Sequence, residues 1–239
     1  MSVPLPPTPD GSRRPAPNGP HSSAEDAGGL NTPLGRAAVA MVAFIAVLWV
    51  IEGVEALDHH RLVLRYGIEP RDPGRLPEIF TAPFLHVNRQ HVAGNSSALF
   101  AIGLVAALTG IRRLLAVTLC VIITSGLGVW LFAPANTVTV GASGIVFGYL
   151  GYLLLRGVVD RRPVDLVITV GVAIAYGSLL PQALPGGEFV SWQGHLAGFL
   201  GGLLAAWLFR RRRHRLAPAQ PSAAPDPPIA GPDDPTRPA

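Results

Sequence analysis

The sequence predicts an all-α membrane protein, in which a bundle of six transmembrane helices carries a long first outer loop and disordered tails. Hydrophobic residue types make up 49% of the 239 residues and charged types only 14%, whereas soluble domains are about a quarter charged. The apolar residues are gathered into runs, most of them close to the roughly 20 residues that cross a bilayer as a helix. Pro-rich polar segments flank these runs at both ends of the chain.

Composition divides the chain into three parts. Residues 1–34 and 213–239 are polar and rich in Pro, and neither segment holds enough apolar surface to offset the entropy lost on folding. We expect both to be disordered cytoplasmic tails, and the first of them lacks the apolar stretch of a cleavable signal peptide. Residues 35–212 are expected to form the membrane domain.

Six apolar runs predict the spanning helices, and they cover residues 37–57, 92–111, 114–133, 143–159, 164–184 and 190–209. The first run carries Glu52 and Glu55, which are expected at its outer end. The fourth run is short, about 25 Å at 1.5 Å per residue. A helix in a soluble core would explain any one run, but six of them within about 175 residues exceed what a soluble core contains.

The arginines predict the orientation, because loops on the cytoplasmic side of a membrane carry an excess of positive charge. All 19 basic residues are arginine, and those next to the spans gather on one side: Arg36, Arg112, Arg113, Arg156, Arg161, Arg162, Arg210, Arg211, Arg212, Arg213 and Arg215. The links 134–142 and 185–189 on the other side contain none. The first outer loop, about 58–85, mixes both charges and is expected to be a structured element at the interface. Both termini are therefore predicted to be cytoplasmic. The absence of lysine and the abundance of Ala, Gly and Pro suggest a bacterial protein, so the plasma (inner) membrane is the expected location.

Four polar side chains are expected at one depth in this arrangement. His91 and Asn95 lie at the outer start of the second span, and Ser143 begins the fourth. His195 lies five residues into the sixth span, roughly 8 Å along its axis. Polar groups inside spans are costly and usually functional, and chance would scatter them between the leaflets. The sequence therefore predicts one polar site in the outer half of the bilayer.

The spacing within each segment indicates the chemistry. Gly141 and Gly144 leave room around Ser143 for another chain, and the start of a helix leaves amide donors free for a developing oxyanion. His91 and Asn95 are four residues apart, so they share a helix face and could both donate to that oxyanion. His86 comes five residues before His91, where it could instead hydrogen-bond the loop.

Each motif also has a purely structural interpretation. Gly144-x-x-x-Gly148 and Gly198-x-x-x-Gly202 are small-residue patterns typical of helix packing in membranes. A single histidine within a span is about as often bonded to a neighbouring helix as it is catalytic. The two interpretations are compatible, because close packing of the fourth and sixth spans would bring Ser143 towards its histidine.

Taken together, these residues resemble the rhomboid family of intramembrane serine proteases, over about residues 76–205. The resemblance rests on three motifs: Thr81-x-x-Phe84-x-His86-x-x-x-x-His91-x-x-x-Asn95, Gly141-x-Ser143-Gly144 with Gly148 and Gly151, and Gly194-His195-x-x-Gly198-x-x-x-Gly202. It implies a catalytic dyad of Ser143 and His195. It also implies an oxyanion hole formed by His91, Asn95 and the Ser143 amide. The substrates implied are transmembrane segments of other proteins in the bilayer, unwound near their outer end.

Two positions depart from the family pattern. The Trp-Arg pair that the family carries in the first outer loop would fall at Pro77 and Glu78. Phe147 stands where Tyr is common, and its ring can still pack on the ring of His195 without offering a hydroxyl. Neither change removes a catalytic atom.

Other classes fit the sequence less well. A metalloprotease would need His-Glu-x-x-His or an equivalent ligand set, an aspartyl protease would need two buried aspartates, and a transporter would be expected to show internal repeats. No metal or other cofactor is expected, and no nucleic-acid partner, since the arginines lie beside apolar segments. The alternative kept open is a catalytically inactive rhomboid-like protein that binds or escorts membrane clients; the oligomeric state is left open too.

Overall fold

The computed structural model describes residues 29–186 and 190–210, and the fold of this part is helical. Seven α-helices occur in it, which we number in chain order: α1 (Pro33–Leu57), α2 (Arg61–Tyr66), α3 (Arg89–Ala107), α4 (Ile111–Phe132), α5 (Ser143–Asp160), α6 (Pro163–Tyr176) and α7 (Trp192–Leu208). Three 3-10 helices join them, at Pro73–Phe80, Ala82–Phe84 and Gly177–Ala183.

Four of the predicted spans are long and apolar enough to cross a membrane within the described residues. These are α1, α4, α5, and α6 together with the 3-10 helix that follows it, at Pro163–Ala183. The protein is therefore an integral membrane protein. The second and sixth predicted spans are also helical, as α3 and α7, but α3 opens on the polar residues Arg89, Gln90 and His91, and α7 has only 17 residues. The count of six spans stays a prediction.

The tails predicted to be disordered fall mostly on residues 1–28 and 211–239, which lie outside the described part, as do residues 187–189 of the last outer link. Helix α1 starts at Pro33, two residues before the predicted start of the membrane domain at residue 35. The Thr32 hydroxyl accepts a hydrogen bond from the Gly35 amide (3.0 Å), and proline is favoured in the first turn because its missing N–H is not needed there.

Helix α5 is the centre of the bundle, and glycines bring it against α7. Gly198 and Gly202 on α7 face the backbone of Gly144 and Gly148 on α5, so closely that a Cβ at either α7 position would overlap a carbonyl oxygen. In a bilayer, close approach of backbones is a main source of helix association. The packing predicted from the two glycine motifs is therefore present, and it sets the distance between the two helices.

A charged cluster ties the helices together at the other end of α5. Arg156 contacts Asp165 (2.7 Å) and Asp160 (3.4 Å), and Arg113 lies 3.8 Å from Asp160. Both aspartates are nearly inaccessible: the side chain of Asp160 is 1% exposed and that of Asp165 is 4% exposed. The guanidinium of Arg113 also donates to the carbonyl of Phe209 just past α7. The cluster therefore fixes α4, α5 and α6 to one another far from Ser143.

Candidate active site

Ser143 and His195 meet where α5 and α7 begin. The Nε2 atom of His195 lies 2.8 Å from Oγ of Ser143, a hydrogen-bonding distance for these atoms. The Nδ1 atom of the same ring lies 3.0 Å from the carbonyl oxygen of Gln182. A carbonyl can only accept, so Nδ1 carries the ring proton and Nε2 is left as an acceptor for the serine hydroxyl.

Packing holds the imidazole in this orientation. Phe147, one turn along α5 from the serine, stacks on the His195 ring with centroids 4.2 Å apart and planes 11° from parallel. Its ring therefore packs where the sequence places it. Ser125 on α4 donates to the carbonyl of Gly194 (2.8 Å), directly before the histidine. Three contacts thus set the position of His195: Phe147 on its ring face, the Gln182 carbonyl at Nδ1 and Ser125 at the backbone just before it.

His91 and Asn95 approach the chain just ahead of the serine. Gly141 has φ +120°, a conformation that glycine tolerates and other residues rarely adopt, and a Cβ there would lie 2.7 Å from Cε1 of His91 and 3.6 Å from Nδ2 of Asn95. Nδ2 of Asn95 has no hydrogen-bond partner within the described part of the chain. It is a buried donor beside Gly141, two residues before Ser143. Donors of this kind stabilise a developing oxyanion.

His86 lies behind this pair and has no access to solvent. Its ring meets that of His91 edge to face, with centroids 5.0 Å apart. Burial lowers the pKa of His86 to about 4, with a further contribution from the charge of His91. The ring is therefore neutral at physiological pH, and it supports the His91 ring by contact.

A single open cavity connects these groups. It has a volume of about 1050 Å³ and is lined by Ser143, His195, His91 and Asn95, with apolar residues around them. No Asp, Glu or Arg is among the described residues that line it. The cavity is large enough for several residues of an extended peptide, and its wall offers uncharged contacts with a few hydrogen-bonding groups.

Seven of the candidate residues line this cavity: Ser143, His195, His91, Asn95, Gly141, Gly144 and Phe147. The ring of His86 packs on that of His91, and Gly198 and Gly202 pack on the backbone of α5. Gly144, Gly198 and Gly202 lie in the contact between α5 and α7, and Gly141 lies beside His91 and Asn95. Sequence reasoning missed the Gln182 carbonyl, because any residue type supplies a carbonyl and no pattern marks it. It also missed Ser125. Among the described residues, no group of three or more His, Cys, Asp or Glu could hold a metal ion.

Comparison with known proteins places this chain in one family. A profile of the Rhomboid domain matches residues 73–212, more than half of the chain. The uncharacterized protein Rv1337 of Mycobacterium tuberculosis is 36% identical over 178 residues, which cover 70% of this chain and 73% of that protein. The uncharacterized protein ML1171 of Mycobacterium leprae is 37% identical over 182 residues, 71% and 70% of the two chains.

A more distant relative has a named activity. The rhomboid protease GluP of Bacillus subtilis is 27% identical over 135 residues, which cover 54% of this chain and 25% of that protein. This chain is an integral membrane protein of the rhomboid family.

Proposed function

We propose that this protein is an intramembrane serine endopeptidase in which Ser143 is the nucleophile and His195 the general base. The observation that carries the proposal is the 2.8 Å contact between Oγ of Ser143 and Nε2 of His195, with Nδ1 held by a carbonyl. Family membership supports it, since a relative is named as a rhomboid protease.

The mechanism follows from the geometry. As Oγ of Ser143 attacks the carbonyl carbon of a peptide bond, its proton passes to Nε2 of His195. The oxyanion formed is stabilised by the Ser143 amide, Asn95 and His91. Nε2 then gives its proton to the leaving amine, and the peptide C–N bond breaks. Water, deprotonated by the same nitrogen, hydrolyses the acyl-enzyme and restores the serine. The Gln182 carbonyl accepts from Nδ1 in every step and stabilises the transient imidazolium.

The substrates proposed are transmembrane segments of other proteins, cut near their outer end. This rests on six spans, on a plasma-membrane location and on cytoplasmic termini. The arginine distribution supports the position of the termini. Extended backbone is tolerated at membrane depth only beside protein or water, and a cavity of about 1050 Å³ provides such a place. Reporter fusions after Arg215 and within residues 185–189 should fall on opposite sides of the membrane, and a common side would contradict this topology.

The dyad is tested by removing each member singly and then both together. Ser143→Ala and His195→Ala should each abolish cleavage of a reconstituted transmembrane substrate, and the double variant should lose little more, because the two act as one unit. A fluorophosphonate probe should label wild type at Ser143, should not label Ser143→Ala and should label His195→Ala only weakly. Ser143→Ala removes one oxygen, so its melting temperature serves as the control for folding.

The rival function is a catalytically inactive rhomboid that binds or escorts membrane clients. It predicts that wild type neither labels nor cleaves any of several transmembrane substrates, while clients still copurify with both wild type and Ser143→Ala. Cleavage that persists in Ser143→Ala would contradict the dyad itself.

A further inference from the structure

Arg75, a partly exposed residue of the first outer loop, makes polar contacts with four other residues. Its guanidinium lies 2.7 Å from Glu78 and 3.4 Å from Glu69. It also donates to the backbone carbonyls of Leu64 (2.9 Å) and Gly67 (3.1 Å). The planar guanidinium, referred to below as the fork, therefore links the end of α2, the segment after it and the 3-10 helix on which Arg75 itself lies.

The segment that Arg75 holds is paired with the chain that leads to the nucleophile. Ile68 and Thr139 exchange two backbone hydrogen bonds, each of 3.0 Å, as an antiparallel bridge. Two residues further on, the Gly141 amide donates to the Ala82 carbonyl (2.9 Å). The short run from Thr139 to Ser143 is therefore attached to the first outer loop at two points before α5 begins.

The contacts of Arg75 flank this bridge on both sides. Gly67 and Glu69, which it binds, are the neighbours of Ile68. A Cβ at Gly67 would overlap the side chains of Val138 and Val140, so this segment also packs tightly on the facing one. Ile68, Val138 and Val140 all line the cavity. A loss of the fork would release the segment that forms the cavity wall beside Ser143.

We propose that Arg75 is a positioning residue for proteolysis: by fixing residues 67–69 against residues 138–140, it holds the wall in front of Ser143 in its working geometry. The proposal rests on the proposed function, since it names how that site is kept in place. The ion pairs are partly exposed, with the Arg75 side chain 25% and Glu69 41% exposed, and such pairs contribute little individually. The positioning role therefore rests on the two hydrogen bonds to the carbonyls of Leu64 and Gly67, which a side chain of different shape cannot make together.

The sequence around Arg75 fits this role. Glu78, which occupies the second position of the family's Trp-Arg pair, is an acceptor for Arg75 and cannot itself donate to carbonyls. Arg75, three residues before Glu78, is the arginine that donates to the loop backbone in this protein. The two charges form an i,i+3 pair on one short helix.

The first experiment measures the strand pairing without measuring activity. In a Cys120→Ala background, which removes the only cysteine of the sequence, Ile68→Cys and Thr139→Cys introduce a pair across the bridge. Directly opposed residues of this kind have Cα atoms about 5.5 Å apart, within the usual range for a disulfide. The rate of disulfide formation under a fixed oxidant should fall at least about fivefold when Arg75→Gln is added. Arg65→Gln is the matched control, because Arg65 lies in the same loop over the Tyr66 ring and should leave the rate unchanged.

The second experiment measures catalysis. Arg75→Gln should lower kcat by about 10- to 100-fold, since misplacement near 1 Å at a reacting centre has effects of this size, while KM changes less than about threefold. Arg75→Lys keeps the charge but not the fork and should recover only part of the loss. In the Arg75→Gln variant that carries the cysteine pair, oxidation should restore kcat to within about threefold of the oxidised parent, and reduction should abolish the gain.

The outcomes separate the two proposals. If wild type shows no cleavage and no labelling, the proposed function fails, and the disulfide rates still report on Arg75. Unchanged disulfide rates in Arg75→Gln would overturn the positioning role, whatever the activity. Slower disulfide formation with kcat within twofold of wild type would also overturn it, and so would a loss of kcat that oxidation does not restore. If Arg75→Gln does not fold, the disulfide rate, kcat and the rescue by oxidation are measured in Arg75→Lys, and the same outcomes overturn the positioning role.

Discussion

The close approach of α5 and α7 allows a sharp prediction for Gly198→Ala. A Cβ at this position would lie 3.1 Å from the carbonyl carbon and 3.2 Å from Cα of Gly144, and closer still to the carbonyl oxygen. Carbon atoms in contact prefer about 3.5–4.0 Å, so the helices must separate by roughly 0.5–1 Å. The 2.8 Å contact between Ser143 and His195 would then lengthen beyond the usual limit of a hydrogen bond, near 3.0 Å for O–H donors. We expect kcat to fall by about 100-fold.

The assay is the initial rate of cleavage of a fluorogenic transmembrane substrate in proteoliposomes, with the amount of folded enzyme taken from its melting curve. Gly171→Ala is the matched control, since a Cβ there meets nothing within 4 Å and alanine favours a helix by about 0.5–1 kcal/mol. It should retain full activity and at least the parental stability. If Gly198→Ala stays folded and cleaves within twofold of wild type, the glycine contact does not set the distance between serine and histidine.

Three further predictions concern other parts of the molecule. Arg156→Ala removes a close partner of the buried carboxylates of Asp160 and Asp165 and should lower the free energy of unfolding by about 3 kcal/mol. Denaturant titration in micelles measures this change, and an unchanged free energy would mean that the charged cluster contributes nothing to stability. His86 has a pKa of about 4 in the folded protein against 6.5 in a free side chain, so it gains its proton more readily in the unfolded chain. Its contribution to the free energy of unfolding should be complete above pH 6.5 and decline towards pH 4 by up to about 3 kcal/mol. Thermal unfolding measured against pH should show this decline in wild type and a flatter profile in His86→Leu. Asn95→Ala should lower kcat by up to about 100-fold with residual cleavage, because the other two proposed oxyanion donors, His91 and the Ser143 amide, remain. An unchanged kcat would leave the Asn95 side chain a packing role.

The helical segments could be predicted from the sequence because a bilayer constrains them by length and polarity alone. The run 143–159 corresponds to α5 at Ser143–Asp160 almost residue for residue. The run 164–184 corresponds to the candidate span Pro163–Ala183, in which the α-helix ends at Tyr176 and a 3-10 helix continues to Ala183. Both segments are apolar, and hydropathy does not distinguish the two helix types. Pro181 inside the second part is the one local signal of the change.

The convergence of polar residues was predictable, whereas their supporting contacts were not. A common depth in the bilayer already grouped Ser143 with His195, and the structure places their side chains within hydrogen-bonding distance. The carbonyl that holds Nδ1 comes from Gln182, and the carbonyls that hold Arg75 come from Leu64 and Gly67. Backbone acceptors occur at every residue, so only the folded path of the chain selects them.

The burial of α5 also bears on how the protein enters the membrane. Among the four helices that qualify as spans, α5 is the least apolar and the most enclosed by protein. Of its 18 residues 67% are buried, against 22% of an apolar stretch of α1. Insertion of an isolated segment depends on its own transfer free energy into lipid, which favours α1 and α4 far more than the glycine-rich α5. We therefore expect α5 to partition stably only after α4 has been placed and α7 is available to cover it. The helix that begins at Ser143 would thus be integrated late, and in a chain arrested before α7 Ser143 would lack the helix that carries His195.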